Sequence, residues 1–371
     1  MHKRDEWILG VDGGGSKTIA CVATVPVGCQ DRIASMVVRG MGESGPGNPR
    51  SVGFAAAYES IISAIRHAME DAVSKDPTVR VGAGSNGSLG NAVDCVDAVC
   101  LCLAGVGREE EQRPVLEWAY QNRLGNRVRV TEDVAPIRWA AMYESAIGGV
   151  AAPSPPLMQT SSRPTGGGVE NAWDQCVTLI AGTGSIVSAS NGVARDLRVG
   201  GWGYLLGDEG SGFAMGLAGL KEVCRAHDHG ESLTPFHRMM LHAIGCEYPM
   251  ELIPRVYTVP IPRPDIATLN RIVLDFAERD PVALKIVDHA AIELSNLVMT
   301  AARRMSLAAD RYALAMSGGM LADGSPLVPA VLTKLSEAGM KPAMCHQVRQ
   351  PVLGALAMAA CLGREQDSNS V

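Results

Sequence analysis

The sequence has 371 residues, with 33 Lys and Arg against 39 Asp and Glu, a net charge of −6. That length allows two domains with cores of their own, and 47% hydrophobic with 19% charged residues excludes wholesale disorder. No clustered basic excess points to nucleic acid, and the acidic balance disfavours an anionic membrane surface.

Trp7–Val11 and Ile19–Val25 are short apolar runs on either side of Asp12-Gly13-Gly14-Gly15-Ser16-Lys17-Thr18, the pattern of a β-hairpin. After Gly45-Pro46-Gly47-Asn48-Pro49, the spacing of Phe54, Tyr58, Ile61, Ile62, Ile65 and Met69 predicts a helix over Ser51–Lys75, stopped at Asp76-Pro77. Residues 81–93, rich in Gly, Asn and Ser, read as a flexible loop. Ala98–Leu103 reads as a buried strand, and Glu109–Leu124 as a helix whose Glu109-Glu110-Glu111 run is a solvated first turn. Arg127–Thr131 is a strand ending at Glu132-Asp133, and Ile137–Ala146 a helix. Residues 151–169 are Pro-, Ser- and Gly-rich and read as a linker or flexible insertion. A second hairpin follows: Cys176–Ile180, the turn Ala181-Gly182-Thr183-Gly184-Ser185, then Ile186–Ala189. The glycine-dense stretch Gly200–Gly212 leads into a helix over Phe213–Ala226, and His227–Asp265 carries no clear pattern. Pro281–Leu307 has helical spacing, Tyr312–Met316 is a strand running into Ser317-Gly318-Gly319, and Gly354–Leu362 is an Ala-rich helix.

Two halves therefore open alike, each with a hairpin around a glycine-rich turn and each continuing in α/β alternation. A duplicated α/β architecture with a cleft between the halves is expected. The ten cysteines include no CxxC and most lie in apolar runs, which fits a reducing compartment. The N-terminus lacks the apolar core of a secretory signal, and no apolar run approaches the roughly 18 residues of a membrane span. A soluble, cytoplasmic protein is expected.

Glycine turns at strand ends expose backbone N–H groups that can cradle phosphates. Two of these turns carry hydroxyls, Ser16 with Thr18 and Thr183 with Ser185, although neither is a Walker A or a dinucleotide motif. A carboxylate beside such a cradle, Asp12, suits Mg²⁺ held through water; its alternative is a turn-forming Asp. Asp133, closing a strand, suits a general base toward a hydroxyl that attacks a γ-phosphate, or else an N-cap. Trp202 among glycines reads on composition alone as a core aromatic, and Glu209 as a salt-bridged structural residue.

Together these segments resemble the two phosphate motifs and the adenosine motif of the acetate kinase/sugar kinase/Hsp70/actin superfamily. Gly200–Gly212 (GGWGYLLGDEGSG) is similar to a segment of N-acetylglucosamine kinases and the related BadF/BadG/BcrA/BcrD ATPase-type group, and Gly45–Pro49 to that group's sugar-side loop. The resemblance runs from Asp12 to about Ala360. It implies two RNase H-like domains of the actin/sugar-kinase type around an interdomain cleft, over residues 1–147 and 148–351. A C-terminal helix, 352–366, is implied to pack back onto the first. It implies ATP, Mg²⁺ near Asp12 and a small amino sugar as ligands, with no nucleic acid or membrane partner and a homodimer left open. By position it implies Asp133 as the catalytic base. Nucleotide-side residues would be Gly13, Gly14, Gly15, Ser16, Lys17, Thr18, Gly182, Thr183, Gly184, Gly318 and Gly319. Sugar-side residues would be Asn48, Asp133, Ser185, Gly201, Trp202, Gly203 and Asp208.

The chain departs from the family pattern at Val134-Ala135-Pro136, at Ile186 and at Pro49, and these positions bear on acyl specificity. The function implied is an ATP-dependent amino-sugar kinase acting on the 6-hydroxyl of N-acetyl-D-glucosamine. The alternatives are a glucosamine or N-acetylmuramic acid kinase, or an ATPase activator of a dehydratase. A sugar-responsive regulator without catalysis is disfavoured by the retained Asp12, Asp133 and glycine turns.

Overall fold

The computed structural model describes residues 5–76, 96–147, 173–193, 196–258 and 262–362. The 81–93 loop, the 151–169 insertion and Cys95 lie outside these residues. The chain divides into two compact units, Met1–Pro155 with Gln350–Val371, and Pro156–Arg349.

In the first unit β1 (Glu6–Gly13), β2 (Thr18–Val25) and β3 (Val37–Ser44) form an antiparallel meander. β4 (Ala98–Leu103) and β5 (Arg127–Glu132) add in parallel, giving the order β3-β2-β1-β4-β5. Parallel neighbours need crossovers. α1 (Pro49–Val52) and α2 (Phe54–Lys75) lie on the first, and α3 (Glu109–Gln121) makes the second; α4 (Ala135–Ile147) follows β5. The helix expected from Ser51 is thus broken at Gly53, whose φ of 81° ends α1.

Alternation along β1 sorts the core into two layers. Leu9 and Val11 meet Ile61, Ile65 and Met69 of α2 and Val115 of α3. Ile8 faces the other layer, with Tyr143 of α4 and Leu353, Leu356 and Met358 of the C-terminal helix Pro351–Cys361. A sheet covered on both faces needs strands without a polar side, and β4 (AVCLCL) is buried at all its positions. The C-terminal helix is apolar all round and buried from Val352 to Ala360, as a helix enclosed by protein must be.

The second unit repeats the plan. β6 (Cys176–Ala181), β7 (Ser185–Ser190) and β8 (Leu197–Gly200) are antiparallel, and β9 (Ala313–Ser317) and β10 (Met344–Gln347) add in parallel, in the order β10-β9-β6-β7-β8. Between β8 and β9 lie α5 (Gly212–Asp228), α6 (Pro235–Ala243), α7 (Arg263–Thr268), α8 (Asn270–Phe276) and α9 (Pro281–Arg304). α10 (Leu327–Glu337) lies between β9 and β10. One cluster joins Val177, Leu179, Leu314 and Met316 of the sheet to Leu294 and Val298 of α9 and Val331 of α10.

The nine described cysteines are free thiols. Burial raises the Cys102 thiol, whose Sγ lies 3.7 Å from that of Cys100. No described helix is long and apolar enough to cross a membrane.

Candidate functional site

In the first unit the hairpin delivers Asp12 and Gly13 at the end of β1, and Gly13 pairs with Thr18 to close the turn. Gly14 N–H donates to the Lys17 carbonyl at 2.9 Å. Gly15, Ser16 and Lys17 are exposed, and a Cβ at Gly15 would meet no atom within 4 Å. The turn therefore offers open backbone of the kind a phosphate needs. Lys17 lies 3.5 Å from Glu43, but both are more than half exposed, so the pair is worth little. Thr18 is buried, and its hydroxyl donates to the Gly45 carbonyl at 2.9 Å. Gly47 N–H donates to the Gly14 carbonyl at 3.0 Å. These two bonds lay the Gly45–Pro49 loop against the turn.

That loop presents Asn48, whose Oδ1 accepts from Arg50 N–H at 2.9 Å and so caps α1. The cap uses the amide oxygen and leaves its NH₂ donors to other partners. Arg50 in turn pairs with Glu111 of α3. Glu111 also accepts from Arg108 N–H at 3.0 Å, so the acidic run is not simply a solvated turn. Glu109 and Glu110 are exposed, and Glu111 ties α3 to α1.

Asp133 sits half-buried between β5 and α4. Burial first, and the like charge of Asp133 second, push Asp12 up to about 7 against the opposing pull of Lys17. Two carboxylates that destabilise each other's charge beside an open turn form a place where a divalent cation is favourable. Among the described residues no three His, Cys, Asp or Glu gather as a metal cage. The donor set thus fits Mg²⁺, which takes one or two carboxylates and keeps waters.

In the second unit Ala181 pairs with Ser185 around a three-residue turn. Thr183 is exposed, and a Cβ at Gly182 would meet no atom within 4 Å. The following loop is bonded to this turn throughout. Gly212 and Phe213 N–H donate to the carbonyls of Gly182 and Thr183 at 2.8 and 3.2 Å, and Gly201 N–H to that of Ser185 at 3.1 Å. Ser185, itself buried, donates its hydroxyl to the Glu209 carbonyl at 2.7 Å.

Asp208 is buried and holds a left-handed φ of 60°. Its Oδ1 accepts from Ser185 N–H at 3.2 Å, and its Oδ2 pairs with Arg263 of α7. Trp202 is 74% exposed and Leu205 and Leu206 are each 79% exposed, which excludes the core-aromatic reading of Trp202. Gly203 lies beside Trp202 at φ 87°. Glu209, expected in a salt bridge, forms none among the described residues.

The third turn follows β9. Gly318 has φ 102°, and a Cβ there would overlap the Ala181 backbone, so only glycine lets β9 end against β6. Gly319 opens onto free space. Arg263 was not legible in the sequence: it comes from the stretch without clear periodicity, 55 residues past its partner.

Residues 9–359 match the BadF/BadG/BcrA/BcrD ATPase family. The N-acetylmuramic acid/N-acetylglucosamine kinase of Clostridium acetobutylicum is 24% identical over 85% of this chain and 86% of its own length. The N-acetyl-D-glucosamine kinase of Dictyostelium discoideum is 25% identical over 95% of this chain and 98% of its own. Among solved structures, a candidate N-acetylglucosamine kinase of Chromobacterium violaceum superposes with a TM-score of 0.64 at 20% identity, over 95% of this chain and 99% of that one. The fold, the paired glycine turns and the match over nearly the whole length agree: the chain belongs to the BadF/BadG/BcrA/BcrD ATPase family.

Proposed function

We propose that the protein is an ATP-dependent amino-sugar kinase that phosphorylates the 6-hydroxyl of N-acetyl-D-glucosamine. The observation that carries this reading is in the second unit. The Gly200–Gly212 loop is hydrogen-bonded directly to the second glycine turn, at Gly182, Thr183 and Ser185. A phosphate-type turn and a loop that displays Trp202 are thereby held as one rigid piece.

In this reading Asp133 accepts the proton of the attacking hydroxyl, which makes the oxygen a better nucleophile toward the γ-phosphoryl. Open backbone at Gly15, Gly182 and Gly319, with Gly13, Gly14, Ser16, Lys17, Thr183, Gly184 and Gly318, holds the nucleotide. Thr18 supports its turn from within through Gly45. Mg²⁺, when bound, offsets phosphate charge, and Asp12 would hold it through water. Asn48 with its uncommitted amide donors, Gly201, Trp202 and Gly203 hold the sugar. Ser185 and Asp208 shape that side from within.

The test is an ADP-release assay with MgATP against N-acetylglucosamine, glucosamine, N-acetylmuramic acid, N-acetylmannosamine, glucose and no sugar. Release that depends on the sugar, and is greatest with N-acetylglucosamine, is expected. Release indifferent to every sugar overturns the kinase reading and favours an ATPase coupled to something else.

A further inference from the structure

We propose that Arg263 holds the phosphoryl group in transfer, and that Asp208 acts chiefly to orient it. The inference rests on the kinase reading above. It starts from an accounting of donors. A guanidinium has five N–H donors. Among the described residues Arg263 spends one nitrogen, Nη2, on Asp208, and its Nε is buried without a partner. A buried donor left unmatched is unusual enough to need an explanation.

The group is also held rigidly. Its charge centre lies 5.2 Å from the ring of Tyr204 and 6.0 Å from that of Phe213. Such faces favour a cation and fix its plane. A Cβ at Gly184 would lie 2.7 and 2.8 Å from the Asp208 oxygens and 2.9 Å from Arg263 Nη2. The ion pair is therefore pressed against the backbone of the second turn, and glycine is required there. The side chain remains 34% exposed, and with Nε buried the donors left for a ligand are those of the two Nη atoms.

Position then selects the ligand. The turn Gly182–Ser185 carries no charge of its own, and its N–H groups alone cannot offset a polyphosphate. Arg263 supplies a cation at the Gly184 end, where the turn is joined through Asp208 and Ser185 to the Gly200–Gly212 loop. The group that must pass from the nucleotide-side turn to the sugar-side loop is the transferring phosphoryl. Charge spreads over its oxygens in the transition state, and a planar, bidentate donor suits it better than an ammonium. Asp208, with one oxygen on Ser185 N–H and the other on Arg263, sets the angle at which the fork is presented.

The test is binding to the full chain by calorimetry, with Mg²⁺ and either ADP or the non-hydrolysable β,γ-imido analogue of ATP, for wild type, Arg263→Gln and Arg263→Lys. ADP lacks the group that Arg263 is assigned. Arg263→Gln is expected to weaken the ATP analogue by about 10- to 100-fold, the range of one charged hydrogen bond. ADP and N-acetylglucosamine should be nearly unaffected, and Arg263→Lys should recover part of the loss. Equal weakening of ADP and the analogue overturns the assignment, as does lost sugar affinity with nucleotides unaffected, or no change at all. If Arg263→Gln does not fold, Arg263→Lys decides, since it keeps the charge for Asp208 but loses the fork. Because the readout is nucleotide binding, failure of the kinase reading (ADP release indifferent to every sugar) and failure of this assignment (ADP and the analogue weakened alike) are separate results.

Discussion

The two sheets share one topology and end in different chemistry. β1 and β6 are both central, each antiparallel to the strand that follows and parallel to one that arrives later. β1 brings Asp12 to the rim of its turn, with Asp133 close enough to raise it. β6 ends Leu179-Ile180-Ala181 with no ionisable side chain, and its turn is flanked instead by the cation of Arg263. The first rim thus gathers two carboxylates, and the second sets a cation beside its turn. The scaffold is built twice, and in the function proposed above the side chains at the rims divide the labour.

Removing the acid from the first rim should have the largest effect. Asp133→Asn is expected to lower kcat by roughly 10²- to 10⁴-fold, the usual worth of a general base. Binding of the ATP analogue should stay close to wild type. Turnover near the wild-type rate would remove Asp133 from the mechanism and leave the contrast between the rims without its acid side.

The second effect is on stability with pH in the metal-free protein. The Asp12 carboxyl is raised from 3.8 to about 7, so between those values the folded chain holds a proton that the unfolded chain has lost. Stability therefore falls as pH rises from about 4 to about 7 and then levels, by about 3 kcal/mol after allowance for partial exposure. Urea unfolding with chelator at pH 5, 6, 7 and 8 measures the slope. Asp12→Asn should flatten it, and an undiminished slope in that variant would place its source elsewhere.

Third, the glycines of the third turn should separate stability from binding. Gly318→Ala forces a Cβ into the Ala181 backbone at a left-handed φ, and is expected to cost about 2 kcal/mol. Gly319→Ala meets open space, so its melting should stay near wild type while nucleotide affinity falls. Equal melting of the two variants would mean that the β9 end relaxes around the added methyl.

The hairpins, β4, β5 and the long helices were legible because their apolar periods are long or their turns carry glycine. β3 was not. Its sequence, VVRGMGES, shows no clean apolar alternation, because Gly40 and Gly42 interrupt it. The structure gives the reason: a Cβ at either would overlap the backbone of α2 at Ala68 or Ala64, so these glycines mark a helix lying hard against a strand. β8 and β10 have four residues each, half-buried apart from the exposed Arg198 and without alternation, too short for a period to show. At the site, the turns and Asp12 were readable as local motifs. The Asp208–Arg263 pair was not, since it joins residues far apart in sequence and no local pattern encodes it.

The smallest effect lies at the other end of β1 and tests whether the first rim acts alone. Glu6 pairs with Arg32 and, at 3.2 Å, with Arg127. Arg32 Nε donates to the Ala360 carbonyl and Arg127 Nη1 to that of Leu362, at 2.5 and 2.6 Å, so the two cations cap the C-terminal helix and Glu6 holds them together. Burial works against ionising Glu6, but the hydrogen bond and charge of Arg32, helped by Arg127, outweigh it and hold the carboxyl below the usual range. A lowered carboxyl contributes stability above its unfolded pKa and loses it as pH falls through the folded one. Glu6→Gln should therefore cost about 1 kcal/mol at pH 7, and the difference from wild type should vanish toward pH 3. Sugar-dependent turnover should not change, because the six steps from Glu6 to Asp12 span about 20 Å of extended strand. A fall in turnover with stability intact would mean that the helix cap and the acidic rim are coupled along β1, and that the division of labour between the two sheets reaches beyond their ends.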